Sequence, residues 1–202
     1  MKQYTALFFV ALFSSAVSAE CFDNFATSYK DRFIIHSNGS LTDRLTGLMW
    51  MRCHLGHRWD AQSNTCSTDR GNQKFTWEEA LQNAKVIRDG GIPTDQDMQP
   101  VGDFTDWRVP NIKEITSLIQ RNCSTESNYR IDDSIFVKPA GIYWSATPAL
   151  GTQKVVVDGV DTWENGAWVA DFTYLQRADV NAMSMKHAVR LVRNAVNNLG
   201  AN

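Results

Sequence analysis

The sequence predicts an α+β domain, on three observations. Short apolar runs of strand character fill residues 32–52. Two segments with helical spacing follow at 77–87 and 112–119. Strand-like segments with turn chemistry between them return from 142 to 193. Strands early, helices in the middle and antiparallel strands late are the pattern of segregated α and β elements, not of alternating βαβ units.

In chain order, Phe33, Ile34 and Ile35 form the first run, and Asn38-Gly39 is a strong short hairpin signal. Thr46-Gly47 supplies a turn before Leu48-Met49-Trp50-Met51, which reads as a buried strand. Residues 53–75 read as a polar, irregular loop, long enough to need a staple or a function. Thr76 with Glu79 three positions on is a capping box. Trp77, Ala80, Leu81, Ala84 and Ile87 then share one helical face, and Gly90-Gly91 ends the helix. After a second loop at 92–106, Asn111 and Glu114 open another helix, with Ile112, Ile115, Leu118 and Ile119 as its buried stripe. Strands are expected at 142–147, 154–157, 168–174 and 187–193. Within the third, Trp168, Ala170 and Phe172 face one side and Val169 and Asp171 the other. Asp158-Gly159 and Glu164-Asn165-Gly166 are turn chemistry.

The chain has 202 residues, 43% hydrophobic and 21% charged, an ordinary globular composition. Residues 1–19 read as a signal peptide: Lys2, an apolar run from Ala6 to Phe13, and small residues up to a cut after Ala19. That run is too short to span a bilayer, and no transmembrane segment is expected elsewhere. Residues 20–202 then form a single domain. Losing the leader removes one basic residue and no acidic one, which moves the formal charge from −2 to −3. A slightly acidic chain lacks the concentrated Lys and Arg that a phosphate backbone demands, so nucleic acid is not an expected partner.

Four cysteines, Cys21, Cys53, Cys66 and Cys123, in an exported chain read as two disulfides. Three pairings are open. Cys53–Cys66 is favoured because it closes the loop that has little else to hold it, leaving Cys21–Cys123 to tie the new N-terminus to the middle of the chain. The alternative, zinc held by Cys53, His54, His57 and Cys66, matches no common ligand spacing. With the cysteines bridged, both histidines are expected as exposed loop residues.

The α/β-hydrolase elbow is absent, and residues 124–202 contain no cysteine for thiolate chemistry, so no catalytic residue is expected. Asp95, Asp97, Asp103 and Asp106 gather in one loop, and Asp158, Asp161 and Glu164 in another. Oxygen-rich loops of this kind suit calcium, with Asp158 and Asp161 the candidate ligands, although no EF-hand pattern is present and the baseline expectation is no cofactor. Of seven tryptophans, Trp50, Trp77, Trp107, Trp144 and Trp168 read as core. Trp59 and Trp163 fall in loops and, with Glu164 beside the second, are the candidate ligand contacts. Arg108, Arg190 and Arg193 stand among apolar residues and read as buried partners of acids such as Glu114 or Asp171.

The order of these motifs resembles one bacterial family. The blocks are Leu41-Thr42-Asp43-x-x-Thr46-Gly47-Leu48-Met49-Trp50, Cys53-x-x-Gly56-x-x-Trp59 and Thr76-Trp77-x-x-Ala80. They continue through Asp106-Trp107-Arg108-Val109-Pro110-Asn111-x-x-Glu114-Ile115, Ile131-Asp132, Phe136 and Tyr143-Trp144-Ser145-Ala146-Thr147. Ala167-Trp168-x-x-Asp171-Phe172 and Val189-Arg190-Leu191-Val192-Arg193 complete the series. Together they are similar to the C-terminal domain of bacterial collagen-like (Lcl) adhesins, from about Arg32 to Arg193. The resemblance implies a fold similar to C-type lectins and formylglycine-generating enzymes. It also implies export, and binding of glycosaminoglycans or other sulfated polysaccharides by a trimer in some members. This chain carries no collagen-like repeat that would require a trimer.

The expectation is therefore a non-catalytic, exported domain, periplasmic or extracellular. It recognises a polysaccharide or a surface protein through the loops around 54–75, 92–106 and 158–166. The alternatives are a structural subunit of a secreted complex and an enzyme of unrecognised chemistry.

Overall fold

The computed structural model describes residues 29–67, 73–92, 101, 104–120, 129–173 and 177–195. The expected leader and the pairing of Cys21 with Cys123 lie outside the described residues, as do Asp95, Asp97 and Asp103.

A one-turn helix, α1 (Tyr29–Arg32), leads into a four-stranded antiparallel sheet of β1 (Phe33–Ile35), β2 (Ser40–Asp43), β3 (Leu48–Met51) and β9 (Val192–Asn194), in the order β1-β2-β3-β9. Asn38 shapes the first turn: its side-chain oxygen accepts from the Ser40 N–H and hydroxyl, and Gly39 sits at φ +85°. The register places Leu41 opposite Trp50, and Trp50 opposite Val192. Residues near the end of the chain thus close the sheet begun at its start. Residues 53–75 are less irregular than the sequence suggests. They contain a small antiparallel hairpin, β4 (Trp59–Asp60) with β5 (Thr65–Cys66).

Helix α2 (Trp77–Arg88) begins at the expected capping box, with both reciprocal bonds between Thr76 and Glu79 present, and buries Ala80, Ala84 and Ile87. Helix α3 (Ile112–Thr116) has the same device at Asn111 and Glu114 but runs only five residues. Leu118 and Ile119 still bury, in the turn that follows it.

The second large sheet is antiparallel, in the order β6-β7-β8: β6 (Ile142–Val157), β7 (Val160–Asp171) and β8 (Arg177–Ala182). The separate strands expected at 142–147 and 154–157 are one long strand, whose pairing shifts register on both sides of Pro148. Proline has no N–H to give a ladder and belongs at such an irregularity. The strand expected at 187–193 is a strand only from Val192. Upstream of it the segment is extended but bonds to several elements in turn: His187 with Phe75, Ala188 with Ile142 and Trp144, Val189 with Leu55, and Leu191 with Met51. All seven residues are buried.

Because side chains alternate across a strand, these central segments feed two cores. Met49, Met51, Trp144, Ala167, Val169, Val189 and Leu191 join α2 in one. Leu48, Trp50, Tyr143, Ala170, Phe172, Ala188 and Val192 join Ile115 and Leu118 in the other. The two helices therefore cover opposite faces of a shared β layer. Trp50, Trp107 and Trp144 are fully buried as expected, whereas Trp77 and Trp168 are only half-buried. The Trp77 Nε1 donates to the Ser145 carbonyl; its place at the first position of α2 puts part of the ring at the rim of the core.

Candidate functional site

Strand β8 stops at Ala182, opposite Gly166. Beyond that point β6 and β7 continue alone, as a two-stranded arm from Thr152 opposite Asn165 to the turn at Asp158-Gly159. Both turn residues have positive φ, 51° and 79°, the two-residue hairpin geometry that an Asp-Gly pair favours. The region 158–166, expected as a loop, is therefore mostly strand.

Pairing outward from that turn fixes which residues share a face. Lys154 lies opposite Trp163, Val156 opposite Asp161 and Thr152 opposite Asn165, and all six are exposed. Gln153, Val155, Thr162 and Glu164 occupy the other face and are half-buried. Trp163 and Glu164, adjacent in sequence, thus project to opposite sides. Trp163 is 66% exposed. The Lys154 ammonium pairs with the Asp161 carboxylate at 2.7 Å, so one cation and one anion flank the indole and cancel.

Asp158 sits in the turn and Asp161 is engaged by Lys154. Among the described residues no group of three or more His, Cys, Asp or Glu is arranged to hold a metal ion. In the other acidic loop, Asp106 accepts from Arg193 Nε at 2.6 Å, and that bond holds its carboxyl below the usual range.

Trp59 belongs to a different sheet, β4-β5. Its indole N–H donates to the Ser37 carbonyl, the Arg52 guanidinium lies 4.3 Å from its ring, and it is half-buried. The ring also rests on Gly39, where an added Cβ would come 2.3 Å from Trp59 Cγ. Trp59 is thereby bound into the β1–β2 turn, while Trp163 presents itself to solvent.

Cys53 and Cys66 form the expected disulfide, with Cα atoms 5.7 Å apart. Both are buried. The histidines between them are not the exposed loop residues expected. His54 is 1% and His57 3% exposed, and their rings stack at 4.1 Å. The bridge pulls the loop inward, and the apolar Leu55 between them enters a core, taking both imidazoles with it. Burial holds the His54 pKa well below its ordinary value, with the nearby Arg190 and His57 acting the same way. His187 is likewise lowered, to about 4, by burial and then by Lys74.

The arginines divide. Arg108 makes a bidentate pair with Glu114, both bonds 2.7 Å. Arg193 pairs with Asp106 and stacks on Phe104. Arg190, expected to have an acid partner, has none among the described residues: fully buried, it donates to the carbonyls of Met51 and Arg52 and to the Tyr143 hydroxyl, between the rings of Phe136 and Tyr143. Asp171 instead accepts from the backbone and hydroxyl of Thr173. Backbone carbonyls and aromatic faces take the place of a counter-ion.

The exposed row of 152, 154, 156, 161, 163 and 165 was open to sequence reasoning, since an Asp-Gly turn with period-2 counting to either side defines it. Among the described residues no helix is long and apolar enough to cross a membrane. No curated protein and no solved structure matches the chain. The model of the Lcl C-terminal domain, however, matches residues 39–193, from the Asn38-Gly39 turn to the paired Arg193, more than half of the chain. The chain therefore belongs to the Lcl C-terminal domain family.

Proposed function

We propose that this chain is an exported, non-catalytic binding domain of lectin-like build, which takes a polysaccharide on the outer face of the β6–β7 arm. The exposed indole of Trp163 carries this reading. An aromatic plane offered to water costs free energy unless something covers it, and the apolar face of a pyranose ring fits it well. Thr152, Lys154, Asp161 and Asn165 around it supply hydroxyl, ammonium, carboxylate and amide groups, the donors and acceptors that sugar hydroxyls need. Because Lys154 is neutralised by Asp161, the face suits an uncharged polysaccharide better than a sulfated one. The belonging to an adhesin family and the buried disulfide accord with export.

A panel of uncharged and sulfated polysaccharides, tested by affinity electrophoresis with the full chain, examines this. Binding to one or more uncharged polymers is expected, unchanged by chelator and little changed by salt. Trp163→Ala should weaken it about tenfold or more, roughly 1.4 kcal/mol, with thermal unfolding unmoved because the side chain is exposed. Undiminished binding by that variant places the ligand elsewhere.

A further inference from the structure

The buried histidine pair plays no part in polysaccharide binding, and its surroundings are unusual. His54 is 1% exposed, and neither of its ring nitrogens makes a hydrogen bond among the described residues. Its neighbours come from several parts of the chain. His57, on the same loop, stacks on it. Tyr143 of β6 meets it edge-on at 6.3 Å between ring centroids. The buried guanidinium of Arg190 acts on it from the segment leading into β9. Arg52 lies two residues upstream, its guanidinium on the Ser134 and Ile135 carbonyls. No carboxylate is among these groups. Among the described residues Arg190 and Arg52 already place two cations here without an acid, so a proton on His54 would add a third charge with no acceptor among them for its second N–H.

The element lying over this cluster is light. The stretch from Cys53 to Cys66 holds only the two-residue strands β4 and β5, and its tip, residues 60–64, is exposed. Leu55 N–H to the Val189 carbonyl, Trp59 Nε1 to the Ser37 carbonyl, His57 to the Ser67 carbonyl and Lys138 to the Cys66 carbonyl fasten it. Short strands with few ladder bonds belong to the part of a protein that opens before the rest.

We propose that residues 53–66 form an acid-operated latch: proton uptake by His54, held between His57, Tyr143 and Arg190, frees the β4–β5 hairpin while the two large sheets stay folded. Opening hydrates the imidazolium and separates it from Arg190. The Cys53–Cys66 bridge confines the opening to the loop that it closes. It also lifts Trp59 from Arg52, turning a covered guanidinium and indole outward.

The disulfide reports the opening, because Cys66 is fully buried and Cys53 nearly so. The full chain is treated with a phosphine reductant between pH 7.5 and 4.5. Freed thiols are alkylated and the Cys53 and Cys66 peptides quantified, with rates normalised to an unstructured model disulfide. The normalised rate should rise at least tenfold on acidification in the parent chain. It should stay within twofold in His54→Leu, and keep its rise in His187→Gln, which removes a buried imidazole of lowered pKa outside the loop. A flat profile in the parent, or an undiminished rise in His54→Leu, overturns the proposal. If His54→Leu does not fold, NMR of the parent chain decides. Amides of 54–66 should shift with the same midpoint as the His54 ring, and a His54 titration that leaves those amides unmoved overturns it.

Discussion

Gly39 shows how much one residue can fix. At φ +85° it adopts a backbone conformation that L side chains rarely take, and Trp59 fills the space where a Cβ would lie. Gly39→Ala should therefore destabilise the fold by about 1–3 kcal/mol in urea unfolding, from backbone strain together with overpacking. Adding Trp59→Ala removes the clash but not the strain, so the double variant should lose clearly less than the sum of the two single losses. The Asn38-Gly39 turn was legible because its signal is local. The contact of Trp59 with it was not, since twenty residues separate them. Arg190 marks the same boundary. Its burial could be read from its apolar neighbours, but its partners, two carbonyls and a phenol, come from segments distant in the chain.

Among the elements, the best foreseen are those whose determinants sit within four residues. Both capping boxes are in place, and both satisfy N–H groups that a helix start leaves open. Thr76→Ala should cost about 1 kcal/mol by chemical denaturation, with the rest of α2 retained because Ala80, Ala84 and Ile87 keep it packed. Strand β8 went unforeseen although Arg177, Asp179 and Asn181 alternate with Ala178, Val180 and Ala182: two of the three apolar residues are alanines, a weak strand signal, and pairing with β7 makes the segment a strand. The segment 187–193 was expected as one strand and is not, because consecutive residues there bond to different partners. Periodicity reports burial, and it does not report which neighbour supplies the hydrogen bonds. On the arm, Trp163 was legible as a residue outside the core, whereas its separation from Glu164 required the register.

For the molecule as a whole, the Cys53–Cys66 bridge holds a loop whose own strands are two residues each. Replacing both cysteines by alanine should lower unfolding free energy by about 3 kcal/mol in the chain-entropy account. The double variant should keep both large sheets, as read by the near-ultraviolet circular dichroism of Trp50, Trp107 and Trp144. The α+β class and the Cys53–Cys66 bridge were readable from spacing and composition. The shared β layer with a core on either side was not, because it depends on which strands meet.

The buried run from His187 to Arg193 has a consequence for how this polypeptide comes into being. Ala188 and Val192 complete one core, Val189 and Leu191 the other, and all four are synthesised after the other buried residues of both cores. Neither half of the interior can consolidate on the ribosome before those codons are read. A polypeptide cut short ahead of His187 would therefore lack the closing layer of both cores at once.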